Sequence, residues 1–399
     1  MRRWLGRLGD PQQALRCTVV AGSKGKGSTA AMLEAMLRAA GRRTGLYTQP
    51  HLHRYAERIR IAGRPLPPAA SRAGLRAVLH AAPGPVTAFE AATVYGLWAF
   101  ARAGVAEAVL EVGFGGRLDA VAEAEPSLVL FAPLEAEHAD LFGPGLPAVL
   151  AYELGLCRYG RTCLAAPQPP AARAAFLARL ASQGAAGGLV PEPGSVGGKV
   201  RLTLPDGTRL EAKLALAGPF QRGNAALAAA GAAALGVPAA AMRQGLERVR
   251  WPGRWERVAH RPAVIVDGAH TPASAAAVAA ALDAEGGTPL ALVVGMLADK
   301  DALGFASALR GRPGRVFATA PDHSRALPAP EVAAAFRAAG WEAVTCVPGL
   351  PAALAAARAW AGGGGLCVVT GSLRLAAETR ELLGLSRAGA RGPRAAAPA

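Results

Sequence analysis

The sequence predicts a two-domain α/β protein, a mostly parallel sheet domain followed by a smaller doubly wound one. Three observations carry this. Short apolar runs alternate with Ala-rich helical stretches along nearly the whole chain. The length, 399 residues, exceeds that of one ordinary domain. Beyond the middle, Trp251-Pro-Gly-Arg-Trp-Glu256 breaks the alternation. The expected domains are 1–250 and 257–385, with a linker at 251–256 and a flexible tail at 386–399.

Residues 16–21 (RCTVVA) read as a buried strand. A Gly-rich turn follows, then a helix over 29–40 with Met32, Leu33, Met36 and Leu37 at helical spacing. Further strands are expected at 44–47, 108–112, 127–131 and 162–165, and a helix at 88–103. The Gly/Pro-rich stretch 183–198 reads as a mobile surface loop. Residues 200–214 alternate on both sides of Asp206-Gly207, the pair that supplies the positive φ of a tight hairpin. Helices fill 224 to about 249. A second series of strands at 263–266, 290–294, 314–318, 343–347 and 366–370, separated by Ala-rich helices, makes the doubly wound domain.

Composition excludes several classes. With 52% hydrophobic against 18% charged residues the chain has material for a large core and is not disordered. Lys+Arg 44 against Asp+Glu 28 leaves +16, but the cations, nearly all Arg, are scattered, so no nucleic-acid surface is expected. A phosphorylated or polycarboxylate small substrate suits that charge. Cysteines 17, 157, 163, 346 and 367 form no CxxC pair, which argues against a disulfide framework and a zinc ribbon and points to the cytoplasm. No uninterrupted apolar run of 18 residues predicts a membrane span. Gly6, Arg7, Asp10 and Pro11 interrupt the start before a secretory leader could form. A monomer is expected.

Gly22-Ser23-Lys24-Gly25-Lys26-Gly27-Ser28-Thr29 lies between strand and helix, the setting in which backbone N–H groups take phosphate. Small residues let the backbone approach, and Lys26 adds a point charge. Ser28 or Thr29 is placed to cap the helix or meet magnesium. The spelling GxxxxGK[ST] is not met, because Val20 holds the first glycine's place and Gly27 separates Lys26 from Ser28. An ordinary glycine turn with an exposed lysine is the alternative.

Other segments follow in order: Thr48-Gln-Pro-His-Leu52, Glu57-Arg-Ile-Arg60, Thr87-Ala-Phe-Glu90, Glu111-Val-Gly-Phe-Gly-Gly-Arg-Leu-Asp-Ala120 and Glu137-His138. Then come Gln221-Arg-Gly-Asn224, Trp251-Pro-Gly-Arg254, Asp267-Gly-Ala-His-Thr-Pro272, Ala298-Asp-Lys-Asp301 and Thr370-Gly-Ser-Leu373. Each is weak alone. In this order, with the loop, the chain resembles the folylpolyglutamate synthase/dihydrofolate synthase branch of the Mur ligase superfamily, whose loop reads roughly GTNGKGS.

The resemblance implies the Mur ligase architecture, a P-loop-type sheet domain followed by a Rossmann-like one. It implies an ATP-dependent amide ligase that activates a carboxylate as an acyl phosphate for attack by glutamate's amine, with Mg2+ as cofactor and a folate-type acceptor. Lys26 and the loop backbone, Gly22 to Thr29, would hold the phosphates. Glu111, His138 and Ser28 would meet magnesium. Asn224, Arg254 and Asp267 match nucleotide-contacting positions, which would place ATP between the domains. His270 matches a family histidine near the phosphates, with loop capping as the alternative. Thr87 and Phe89 match a pterin-touching segment, with a core aromatic as the alternative for Phe89. Lys300 and Asp301, which follow another strand, are expected either beside the same cleft or in a surface ion pair.

The chain also departs from the family. Glu153, in Tyr152-Glu-Leu-Gly-Leu156, stands where the family holds a lysine, usually carbamylated. It keeps an anionic end on a shorter stem and could hold a second magnesium; the alternative is a charged helix-surface residue. Gln49 stands in place of a magnesium-binding serine and offers an amide oxygen. Glu137 replaces an aspartate, Val121-Ala122 replace Thr-Asn, and Thr271 replaces Asn. These differences keep open a ligase for a non-folate carboxylate and a nucleotide-binding paralogue without ligase activity.

Overall fold

In the computed structural model, which describes residues 1–113, 115–135, 145–286, 289–312 and 314–385, the chain divides between Trp251 and Pro252 into two units. The first runs α1 (Arg2–Arg7), β1 (Arg16–Ala21), α2 (Lys26–Ala39), β2 (Thr44–Tyr47), β3 (Ile59–Ile61), β4 (Arg64–Pro65), α3 (Pro68–His80) and α4 (Ala88–Arg102). It continues with β5 (Glu107–Glu111), β6 (Leu128–Phe131), α5 (Gly145–Glu153), β7 (Thr162–Ala165), α6 (Pro170–Gln183) and β8 (Ala186–Leu189). The strands form one sheet in the order β4-β3-β2-β5-β1-β6-β7-β8. From β2 to β8 the pairing is parallel; β3 and β4 add antiparallel at one edge.

Alternation along β1 explains why the sheet is covered on both faces. Val20 joins the core under α2, while Val19 and Ala21 join the core under α4, as successive side chains of a strand must. β1 lies between β5 and β6, yet its own connection leads through α2 to β2 on the far side of β5. The connections after β1 and β5 therefore leave in opposite directions, and ligands of open α/β sheets bind outside the strand ends at such a switch point.

A three-stranded antiparallel sheet follows: β9 (Gly194–Val196), β10 (Lys199–Thr203) and β11 (Arg209–Ala212). The Asp206-Gly207 hairpin forms as expected, and Val200, Leu202, Leu210 and Ala212 turn inward onto the core shared by α2, α7 (Gln221–Ala234) and α8 (Ala239–Arg248). The expected loop at 183–198 is corrected, since its ends are strands β8 and β9. Backbone pairing needs no side chain, and at Gly187, with φ of +123°, a Cβ would collide with the Cys163 carbonyl. Gly187, within that stretch, is what lets β8 approach β7.

The second unit contains β12 (Glu256–His260), β13 (Ala263–Val266), α9 (Pro272–Glu285), β14 (Leu290–Val294), α10 (Ala302–Ala308) and β15 (Gly314–Ala318). Then come α11 (Ala329–Ala338), β16 (Val344–Cys346), α12 (Leu350–Ala361), β17 (Leu366–Thr370) and α13 (Leu373–Leu382). The sheet order is β12-β13-β17-β14-β15-β16, parallel except for the β12 edge. Trp255, within the expected linker, is buried, and β12 begins at Glu256. Residues 386–399 lie outside the described residues. Among those described, no helix is long and apolar enough to cross a membrane.

Tight packing of α8 on α2 sets a stability test. A Cβ on Gly245 of α8 would lie 2.6 Å from the Met36 backbone of α2, where nothing flexible can yield. Gly245→Ala is expected to destabilise the protein by about 1–3 kcal/mol through overpacking, read as a lower melting temperature.

Candidate active site

β1 delivers the chain to the glycine-rich turn, and α2 starts at Lys26, three residues earlier than the apolar spacing alone marks. Its N-cap is Gly25 at φ +85°, without a side-chain cap, so neither Ser28 nor Thr29 caps the helix. A Cβ on Gly25 would collide with Asn224 Oδ1. Left-handed backbone and this contact together admit only glycine.

Three loop amides already have acceptors. Gly22 N–H donates to Glu153 Oε2 at 3.3 Å, and Ser23 and Lys24 N–H both donate to the Pro133 carbonyl, at 2.9 and 3.4 Å. Ser23 Oγ accepts from Glu135 N–H at 2.9 Å. The N–H groups of Gly25, Lys26, Gly27 and Ser28 have no acceptor among the described residues, as at any uncapped helix start. No acidic residue stands in the first turn of α2. Lys26 Nζ curls back to the carbonyls of Gly22 and Ser23, at 2.6 and 3.3 Å. Four open donors, a helix dipole and an ammonium make an anion site.

The walls of the loop hold the other candidates of this unit. Asn224 Nδ2 donates to Gln221 Oε1 at 2.9 Å, and Gln221 Nε2 reaches Ser28 Oγ at 3.4 Å. Thr29 Oγ1 is buried and has no partner among the described residues. Glu111 ends β5 and is buried, and its Oε2 accepts from Gln49 N–H at 3.0 Å. A Cβ on Gly27 would lie 3.3 Å from both Glu111 Oε2 and Trp251 Nε1, which explains why a glycine intrudes between Lys26 and Ser28. The Arg60 guanidinium stacks on the Trp251 ring at 4.9 Å, and Glu57 gathers the N–H groups of Leu52, His53 and Arg54.

Glu153 is 6% exposed and bonded to the loop, which rules out the surface-residue alternative. Gln49 turns its Nε2, an N–H2 donor, into the protein without an acceptor among the described residues. Phe89 is half-buried beside Gly113. The Thr87 hydroxyl is spent on a capping box, accepting from Glu90 N–H at 3.1 Å and donating to Glu90 Oε2 at 2.8 Å. Glu137 and His138 lie outside the described residues. Among those described, no three His, Cys, Asp or Glu residues form a cluster that could hold a metal. Sequence reasoning passed over Trp251, Gln221 and Asp119 as site residues, although each sits in a quoted segment. Asp119 Oδ2 accepts from Gly113 N–H at 2.8 Å.

In the second unit, Asp267 follows β13 and accepts from Trp255 N–H at 2.7 Å and Ala269 N–H at 2.8 Å. Burial pushes its carboxyl up, opposed by the Arg254 guanidinium and those two amides. His270 Nδ1 lies 2.9 Å from the Gly268 carbonyl, and the His270 backbone N–H donates to Ser274 Oγ at 3.0 Å. Thr271 N-caps α9. Lys300 pairs with Asp299 at 2.8 Å and Asp301 N-caps α10, so both have structural partners.

Raised titration has a stability consequence. A carboxyl whose folded value lies above its unfolded one adds stability below the ordinary aspartate range, lost as pH rises through the raised value. The unfolding free energy of the wild type minus that of Asp267→Asn is expected to be greatest near pH 3 (roughly, below the ordinary aspartate value) and to fall as pH rises. Denaturant titration across pH checks this.

Comparison with known proteins adds to this geometry. The family described as Mur ligase, glutamate ligase domain, matches residues 253–373. The chain is 36% identical over 393 residues to a probable bifunctional folylpolyglutamate synthase/dihydropteroate synthase of Halobacterium salinarum, covering 94% of this chain but 48% of that protein. It thus spans about half the length of that relative. It is 32% identical to the folylpolyglutamate synthase of Lacticaseibacillus casei, with 81% of each chain covered. The crystal structure of Mycobacterium tuberculosis folylpolyglutamate synthase complexed with ADP and AMPPCP superposes with a TM-score of 0.88 at 30% identity, covering 98% of this chain and 95% of that one.

Proposed function

The chain belongs to the folylpolyglutamate synthase/dihydrofolate synthase family of Mur ligases, and we propose that it joins L-glutamate to a carboxylate of a folate-type acceptor at the expense of ATP. The observation that carries this reading is the set of open amides at Gly25–Ser28 beneath Lys26. The Mycobacterium tuberculosis relative, crystallised with ADP and AMPPCP, supports a nucleotide as the anion bound there.

A carboxylate is a poor electrophile, so the acid first takes the γ-phosphoryl group of ATP, and glutamate's amine then displaces phosphate from the acyl phosphate. The residues of this chain serve that sequence by positioning and charge. The open amides and Lys26, released from the Gly22 and Ser23 carbonyls, hold the β- and γ-phosphates. Asn224, buttressed by Gln221, and the second unit's Arg254 and Asp267 are assigned to the nucleotide, and His270 to the phosphoryl end.

The donor chemistry suits magnesium. Glu111 and Ser28 offer oxygen beside the loop, Glu153 a buried carboxylate at its root, and Thr29 a hydroxyl with no partner among the described residues. We assign Glu111, Ser28, Glu153 and His138 to hold Mg2+, which when bound offsets phosphate charge. Glu153 is an anion by its own chemistry, so this site needs no modified lysine. Phe89 is assigned to the acceptor's flat ring and Thr87 to placing it.

Incubation with dihydropteroate or tetrahydrofolate, ATP and labelled glutamate is expected to give an extended product and stoichiometric phosphate. Extension of neither acid refutes the folate assignment. Lys26→Ala and His138→Ala are each expected to abolish acceptor-dependent phosphate release; full turnover in both would sink the site assignment. Glu153→Gln is expected to raise the magnesium concentration needed for half-maximal rate, with bicarbonate having no effect on the wild type.

A further inference from the structure

Gln49 carries an unexplained donor. Its Nε2 is buried and meets no acceptor among the described residues. A buried amide N–H2 in that state costs free energy, and such groups mark positions where a ligand or ion completes the bonding. Its surroundings are defined by one short stretch of chain. Gly113 leaves just enough space, since a Cβ there would lie 2.7 Å from Nε2 and 2.8 Å from the Phe89 ring. Two residues earlier, Glu111 Oε2 accepts the backbone N–H of Gln49 itself. Gln49 thus reaches, through its backbone N–H, the carboxylate beside the phosphate loop and, through its side chain, the space over Gly113 that the Phe89 ring also borders.

We propose that the side-chain amide of Gln49 donates to the acceptor acid's carboxyl oxygen, the oxygen that becomes anionic when glutamate attacks. This rests on the ligase reading. An N–H2 group attracts oxygen and repels a cation, so Gln49 serves the acid and leaves the metal to the carboxylates. In the second half of the reaction, the neutral amine's lone pair forms the C–N bond while the carbonyl π pair moves onto oxygen. That pair returns as the C–O bond to phosphate breaks. Inorganic phosphate leaves with the bonding pair and takes the proton shed by the amine nitrogen. Measured from the neutral carbonyl of the acyl phosphate, a fixed donor facing the oxygen bonds more strongly as the anion forms, which lowers the barrier to attack and raises kcat.

The two roles predict opposite effects of one substitution. Gln49→Glu keeps the length and improves a cation ligand but deletes the donor; Gln49→Met keeps the volume and deletes both. As a donor, Gln49 gives a kcat loss of about 10²–10³-fold in both variants, with the affinity for magnesium and AMPPCP, titrated directly, unchanged. Wild-type kcat in Gln49→Glu would overturn the proposal. So would losses in both variants confined to magnesium-nucleotide affinity. Thermal unfolding identifies a variant that fails to fold, in which case the other decides. A wild type inactive with every folate acid removes the ligase reading itself, whereas an active wild type with unimpaired variants removes the role of Gln49 alone.

Discussion

Close backbone approach at the phosphate loop is the constraint on which the rest of the first unit depends. Gly25 must be left-handed and must press against Asn224, and Gly27 must leave room for Glu111 and Trp251. Each contact brings a different element to the loop: α7 through Asn224, β5 through Glu111, and the end of the unit through Trp251. Side chains here would hold these elements apart. Glycine therefore does more than permit a turn: it sets how near the surrounding chemistry can come to the amides.

The sequence was most legible where strands are buried on both faces. Thr44–Tyr47, Thr162–Ala165, Ala263–Val266, Leu290–Val294, Gly314–Ala318 and Leu366–Thr370 coincide with the apolar runs that predict them. Strands at or next to a sheet edge were missed for the opposite reason. β3, β4 and β9 are two or three residues long, β8 is half glycine, and β12 carries Glu256, Arg257 and His260, so their pairing is decided by a neighbouring strand rather than by an apolar pattern of their own. The start of α2 was likewise hidden, because Lys26-Gly-Ser carries no apolar residue to mark a helical face.

Site residues follow the same division. The residue types at the loop, Glu111 and Asn224 were readable as motifs, since their chemistry is local. What could not be read was which end of an amide faces inward at Gln49, or that Glu153 is drawn under the loop by the Gly22 N–H. Those facts depend on packing between segments distant in sequence, 131 residues apart for Gly22 and Glu153. Gln221 stayed invisible because it acts through a hydroxyl and another amide, a relay that no spacing encodes.

Trp251 gives the protein an optical handle. Its indole edge borders the first turn of α2 next to Glu111, and a guanidinium lies on its ring. Indole emission is sensitive to nearby charge, so filling the loop with anions should alter the light this residue emits. The molecule thus carries a native chromophore beside the phosphate loop.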